Sequence, residues 1–213
     1  MYVPAAFRIE DLPELHAVIA QTGLATVVSG GAEGLVASHV PLLLDPAAGP
    51  LGTLYGHLAR ANPQARSIAA GEALAIFGGP DGYVTPSWYA TKWETGRVVP
   101  TWNYVAVHAY GPVQVFEEPE RLRAVVEALT ERHEAGREEP WRVSDAPEDF
   151  LRGQLKGIVG IAIPIVRIEG KRKLGQNRPR ADREGVVAGL GASAREGDRR
   201  TAALMAEDLG PGA

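Results

Sequence analysis

Residues 99–116 read VPTWNYVAVHAYGPVQVF, and their alternation is too regular for a loop. One set, Thr101, Asn103, Val105, Val107, Ala109, Gly111, Val113 and Val115, has the composition of a core-facing strand surface. The other set, Trp102, Tyr104, Ala106, His108, Tyr110, Pro112, Gln114 and Phe116, carries the rings. Side chains alternate across a strand, so the two sets lie on opposite faces. The stretch exceeds an ordinary strand in length, and Gly111-Pro112 is expected to bend or bulge it. A ring-bearing face left in water would be a large apolar patch, which monomers rarely tolerate. It therefore needs a cover: a helix of the same chain, a second subunit or a flat ligand.

The flanking sequence supplies further strands with helices between them. Asp11-Leu12-Pro13-Glu14 reads as a helix start, with Asp as N-cap and Pro in the first turn, leading into LHAVIAQ. LATVVS, the turn GGAEG and LVASHVPLLL read as a hairpin, and GTLYGHL as a further strand. Asn62-Pro63 opens a short helix, PQARSIAA. ALAIF and GYVTPSW read as two strands, and KWETGR as an exposed loop. A long helix is expected from Pro119 to about Ala135, then a short helix EDFLRGQL and one last apolar strand, GIVGIAIPIVRIE. These signals give a single domain over 1–183. Residues 184–213 are read as a short helix around Val186 to Leu190 followed by a weakly ordered tail.

Composition bounds the function classes. The 213 residues are 45% hydrophobic and 23% charged, enough to bury a full core, and the formal charge of −4 gives no global attraction to nucleic acid or an anionic membrane. Cysteine is absent from the sequence, which excludes disulfides, thiolate catalysis and Cys-ligated metal. The amino terminus lacks a basic region followed by an apolar run, and no window is long and apolar enough to span a bilayer, so the chain is read as cytoplasmic with no membrane partner. No Walker loop, G-x-G-x-x-G, G-x-S-x-G or H-E-x-x-H is found in the sequence, and any catalysis would have to come from a bound cofactor.

Short strands joined by turns, with helices at the rim, favour an antiparallel, closed or partly closed barrel of the α+β, mainly β, class. VASHVPLLL, LYGHLARANPQ, GYVTPSWY, VPTWNYVAVHAYG, LKGIVGIAIPI and KLGQNR stand in the order and spacing of the PaiB family, FMN-binding negative transcriptional regulators, which the chain resembles from MYVP to about Asp182. Gly79 and Gly175 stand where the family pattern carries other residues. The resemblance implies an antiparallel split β-barrel with peripheral helices, of the flavin-reductase and pyridoxamine-oxidase type. It also implies a homodimer with FMN at the subunit interface, so that the aromatic face is covered by the partner subunit and the cofactor.

The site chemistry can be weighed residue by residue. LYGHLARANPQAR offers His57, Arg60, Asn62 and Arg66 to a phosphate where a strand runs into a helix; the same residues equally serve as a helix cap and solvated cations. Ser38 and His39 point to opposite strand faces, so at most one shares a given pocket. With the resemblance in hand, Ser38, His39, His57, Arg60, Asn62, Trp102, Asn103, Lys173, Gln176 and Asn177 form the candidate FMN-binding set. His39, His57 and His108 also raise a metal or haem reading, but their spacing matches no ligand pattern and no metal is expected.

Three functions compete: a regulator using flavin as sensor or structural ligand, an FMN-dependent oxidoreductase working with NAD(P)H or oxygen, and a haem-binding protein. DNA enters only through Arg167 to Arg183, where Arg167, Lys171, Arg172, Lys173, Arg178, Arg180 and Arg183 face Glu169 and Asp182, a local balance of +5. No DNA-reading motif accompanies it.

Overall fold

In the computed structural model, residues 1–31 and 34–210 are described. The chain begins β1 (Arg8–Ile9), α1 (Leu12–Gln21), β2 (Ala25–Gly31), β3 (Gly34–Val40), β4 (Leu43–Asp45) and β5 (Thr53–Ala59). It continues through α2 (Gln64–Ser67), β6 (Glu72–Val84), α3 (Ala90–Thr95), β7 (Thr101–Pro112), β8 (Gln114–Phe116) and α4 (Pro119–Glu134). It closes with α5 (Glu148–Leu155), β9 (Ile158–Pro164), β10 (Arg167–Lys173), α6 (Arg180–Gly191) and α7 (Glu196–Leu209). Two compact units result. The first comprises Met1–Val18, Gly78–Val107 and Glu169–Ala213, the second Ile19–Phe77 and His108–Ile168.

In the first unit the strands lie in the order β1-β10-β7-β6, and β1 runs antiparallel to β10 with Arg8 opposite Lys171. The start of α1 is capped as the sequence predicts, Glu14 N–H donating to Asp11 Oδ2 at 3.1 Å. Along β7, Asn103, Val105 and Val107 are buried while Trp102 is 51% exposed, which is the alternation read from the sequence. Helices α6 and α7 pack together and bury Val186, Leu190, Thr201, Ala202 and Met205.

In the second unit β2 lies antiparallel between β3 and β6, with Val27 opposite Ser38 on one side and Ala75 on the other. A second sheet runs β4-β5-β9-β8, and its neighbouring strands also pair antiparallel. Helices α4 and α5 supply Leu122, Val125, Leu129, Leu151 and Leu155 to a core shared with Phe116 and Ala162. Antiparallel sheets with helices packed on them make the α+β class that the sequence predicts.

Several boundaries differ from the sequence reading. ALAIF and GYV form one strand, β6; its buried set passes from Ala73, Ala75 and Phe77 to Gly82 and Val84, so the turn-like GGPDG is taken up inside the strand as a change of parity. KWETGR is not a loop: it lies mostly in α3, which ends at Gly96 with φ +67°. The last apolar strand is two, β9 and β10, broken at Ile165-Val166. Phe116 leaves the aromatic face for the core, because the break at Val113 between β7 and β8 shifts the alternation. The segment read as a tail carries α7, in which Met205 is fully buried. The turn residues Ala32 and Glu33 lie outside the described residues.

Candidate functional site

The ten sequence-derived candidates divide between the units, five in each. In the second unit, β3 exposes His39, whose Nδ1 lies 3.1 Å from Thr26 Oγ1, and turns Ser38 to the other face. Ser38 Oγ accepts from Asn62 Nδ2 at 2.8 Å, and Asn62 Oδ1 accepts the Gln64 N–H at 2.9 Å. Asn62 therefore couples the helix start to β3, which is more than a cap. Gln64, which the sequence reading missed, is wholly buried and its Nε2 reaches Val27 O, Ser29 Oγ and Val36 O at 3.0–3.2 Å. Its only signal was a polar residue directly after an Asn-Pro helix start. Arg60 is engaged elsewhere: its guanidinium donates to Lys156 O and Ile158 O and pairs with Glu117 at 2.9 Å. His57, on β5, has a buried Nδ1 with no hydrogen-bond partner, and burial holds its pKa below the ordinary value.

In the first unit, Trp102 meets Tyr83 edge-on at 5.9 Å between ring centroids, and both are about half exposed. Lys173 Nζ donates to Thr101 Oγ1 at 2.6 Å and to the Trp102 carbonyl. Burial, followed by repulsion from Lys171 and Arg178, pushes its pKa down. Asn103 is buried and donates to Met205 Sδ at 3.3 Å. Gln176 closes the turn after β10, accepting from Leu174 N–H and donating to Arg172 O. Asn177 is exposed at the rim of a cavity of about 190 Å³ that Asn103 and Lys173 also line. Gly175 in the same turn has φ +76°, a conformation that favours glycine. The sequence reading did not assign Tyr89 or Arg183 to a pocket; both line this cavity. Arg183 had appeared only as a member of a basic run.

Most of that basic run is engaged inside the unit that carries it. Lys171 is buried, 5.2 Å from the Tyr104 ring centroid; Arg172 pairs with Glu14 and Asp208; Arg178 stacks on Tyr89 at 4.8 Å; Arg180 pairs with Glu184 at 2.7 Å. Arg167, in the second unit, lies 3.4 Å from the Tyr110 ring centroid and 3.7 Å from Glu72. Cations of β10 therefore stand on the rings of β7 inside each unit, a cover for the aromatic face that pattern alone did not suggest.

The family model described as "Putative FMN-binding domain" matches residues 1–167. The chain belongs to the PaiB-type FMN-binding domain family. It is 32% identical to the protease synthase and sporulation protein PAI 2 of Bacillus subtilis, over 98% of each chain. It is also 34% identical to an uncharacterized protein of Aspergillus fumigatus, over 89% of this PaiB-type chain and 90% of that one. Among solved structures, the FAD and heme binding protein of Mycobacterium smegmatis is similar, with a TM-score of 0.59 at 22% identity over 85% of this chain and 80% of that chain. At that identity the likeness carries the fold, the split-barrel α+β class expected from the sequence, and no more.

The family's cofactor is FMN, and the residues present suit it. A flavin needs hydrogen-bonding groups for its polar arm and phosphate, and a dry surface for its ring. Within the second unit, the Ser38 hydroxyl, the Asn62 amide and the orphaned His57 Nδ1 offer the first. Within the first unit, the Trp102 and Tyr83 rings are each about half exposed and leave apolar surface uncovered. No helix among the described residues is long and apolar enough to cross a membrane.

Proposed function

We propose that the chain is a homodimeric flavoprotein regulator, in which FMN serves as a sensor whose state changes what the dimer binds. The observation that carries the site is the Ser38–Asn62 pair, half-buried and joined at 2.8 Å where β3 meets the segment leading into α2. Two short polar side chains held against each other in this way are preorganised to meet the polar arm of a ligand without losing rotamer entropy at binding. Arg60 is a weaker candidate than its charge suggests, because a phosphate would have to compete with Glu117 and two carbonyls for its guanidinium. Trp102, with Tyr83, is assigned to the subunit contact. When bound, FMN supplies electron-transfer chemistry that the chain's own side chains lack.

The regulatory reading rests on the family resemblance, the Bacillus relative being named for protease synthase and sporulation, and the engagement of the β10 cations favours a route that does not rest on direct phosphate contacts with DNA. Absorption spectra and fluorescence titration with FMN test the site. Asn62→Ala and Ser38→Ala are each expected to weaken FMN binding about tenfold, in line with about 1–1.5 kcal/mol for one hydrogen bond. Unchanged affinity in both would remove the assignment. Steady oxidation of NAD(P)H by the FMN-loaded protein would replace the sensor reading with an oxidoreductase.

A further inference from the structure

The cavity of about 190 Å³ in the first unit is lined by three of the FMN candidates, Asn103, Lys173 and Asn177, but also by two arginines that the flavin reading does not use, Arg178 and Arg183. Three cations, Lys173, Arg178 and Arg183, line it, and no carboxylate does among the described residues. Arg183 is the informative one. Its Nε and Nη2 are buried without a hydrogen-bond partner, although a guanidinium carries five donors that demand acceptors once out of water. The Asp208 carboxylate reaches Nη2 only at 4.0 Å and is already held by Arg172 at 2.8 Å. Arg178 is occupied by the Tyr89 ring face, which leaves its edge donors unspent. Lys173 places two hydrogen bonds on Thr101 and Trp102 and retains a third donor. Asp182, next to Arg183 in the chain, is buried with Oδ1 on the Thr91 N–H and Oδ2 without a hydrogen-bond partner; it makes no hydrogen bond to Arg183 and does not line the cavity.

Like charges gathered in one partly dry pocket repel, and the arrangement is stabilised when an anion enters. The lining also includes the apolar side chains of Phe7, Val186 and Met205. We propose that this cavity binds a small organic anion, a carboxylate or phosphate monoester whose charged head meets Arg183 and Arg178 and whose compact apolar body lies against Phe7, Val186 and Met205. A volume of about 190 Å³ is below the ~300 Å³ at which pockets begin to enclose drug-sized ligands, so the cavity suits a one-ring or short-chain compound and not a whole flavin. The site goes beyond the flavin assignment and needs no flavin to be present.

Calorimetric titration of the full chain with benzoate, phenyl phosphate and inorganic phosphate tests it, with benzamide as the neutral isostere. Benzoate or phenyl phosphate is expected to bind saturably, one per chain, at least tenfold more tightly than benzamide; the preferred one of the two identifies the head group. Arg183→Met and Arg178→Met are each expected to weaken that binding at least tenfold, while Arg152→Ala, an exposed cation of α5, leaves it unchanged. Arg178→Met carries the test by itself should Arg183→Met not fold. The proposal is overturned by a lack of saturable heat with all three anions, by equal binding of benzamide, or by cavity variants that bind as the parent does. It is also overturned if FMN competes with benzoate one for one, since the cavity would then belong to the flavin. Flavin binding itself is read separately from the absorption spectrum.

Discussion

Gln64 shows how one polar side chain can organise a sheet edge. Its amide is fully buried and faces three acceptors on β2 and β3, so removing it leaves Val27 O, Ser29 Oγ and Val36 O short of a donor. Gln64→Ala is expected to cost about 2–3 kcal/mol in urea denaturation, more than one lost hydrogen bond, because buried acceptors are left unpaired. An unchanged midpoint would show that those acceptors find other donors. His57 makes a second prediction at this scale. Burial lowers its pKa from the ordinary 6.5, so the folded state holds the neutral ring while the unfolded chain takes up a proton first. Stability is therefore full above about pH 6.5 and falls as pH drops from there toward the lower folded value. Melting temperatures measured from pH 8 to pH 5 are expected to fall less steeply for His57→Gln than for the parent chain.

Among the elements, β7 was the most legible and its far end the least. Alternation over 101–111 is a local property, and the burial pattern follows it residue by residue. The phase change that buries Phe116 is not local: the backbone of residues 164–166 approaches the end of β7, Val166 N–H donates to Tyr110 O at 2.9 Å, and a Cβ on Gly111 would stand 2.0 Å from Pro164 O. Where a bend was expected at Gly111-Pro112, β7 runs through both residues and the break falls at Val113, while the backbone that Gly111 meets lies about fifty residues further along the chain. Gly111→Ala is expected to destabilise by about 3 kcal/mol through forced backbone displacement, read as a lowered denaturation midpoint. The site followed the same rule. Asn62 announced itself through Asn-Pro, whereas Arg183 could not be told from its basic neighbours, because what distinguishes it is that its buried Nε and Nη2 have no hydrogen-bond partner in space. Arg172 illustrates the converse, a cation neutralised by Glu14 from 158 residues away.

For the whole molecule, the proposed homodimer is tested against the exposed large apolar residues of the first unit, Tyr2, Tyr83, Trp93, Val99 and Trp102 among them. Light scattering at micromolar concentration is expected to return twice the 22.7 kDa chain mass, and a value at the single-chain mass would remove the dimer. Direct DNA binding is expected to fail in gel-shift assays at physiological salt, since the +5 segment holds most of its cations in ion pairs and ring contacts. Charge counting along a sequence reports how many cations there are and not where their partners stand, which is why the run read as a candidate interface. The interleaving of the units along the chain bears on biosynthesis. All of the second unit has been synthesised once residue 168 is made, while the first unit must wait for Glu169–Ala213. Residues 1–18 and 78–107 therefore spend the last stretch of translation without their packing partners, with β1 unable to find β10. Pauses in translation after codon 168 would lengthen that exposure and raise the demand for chaperones, with no change in the stability of the finished protein.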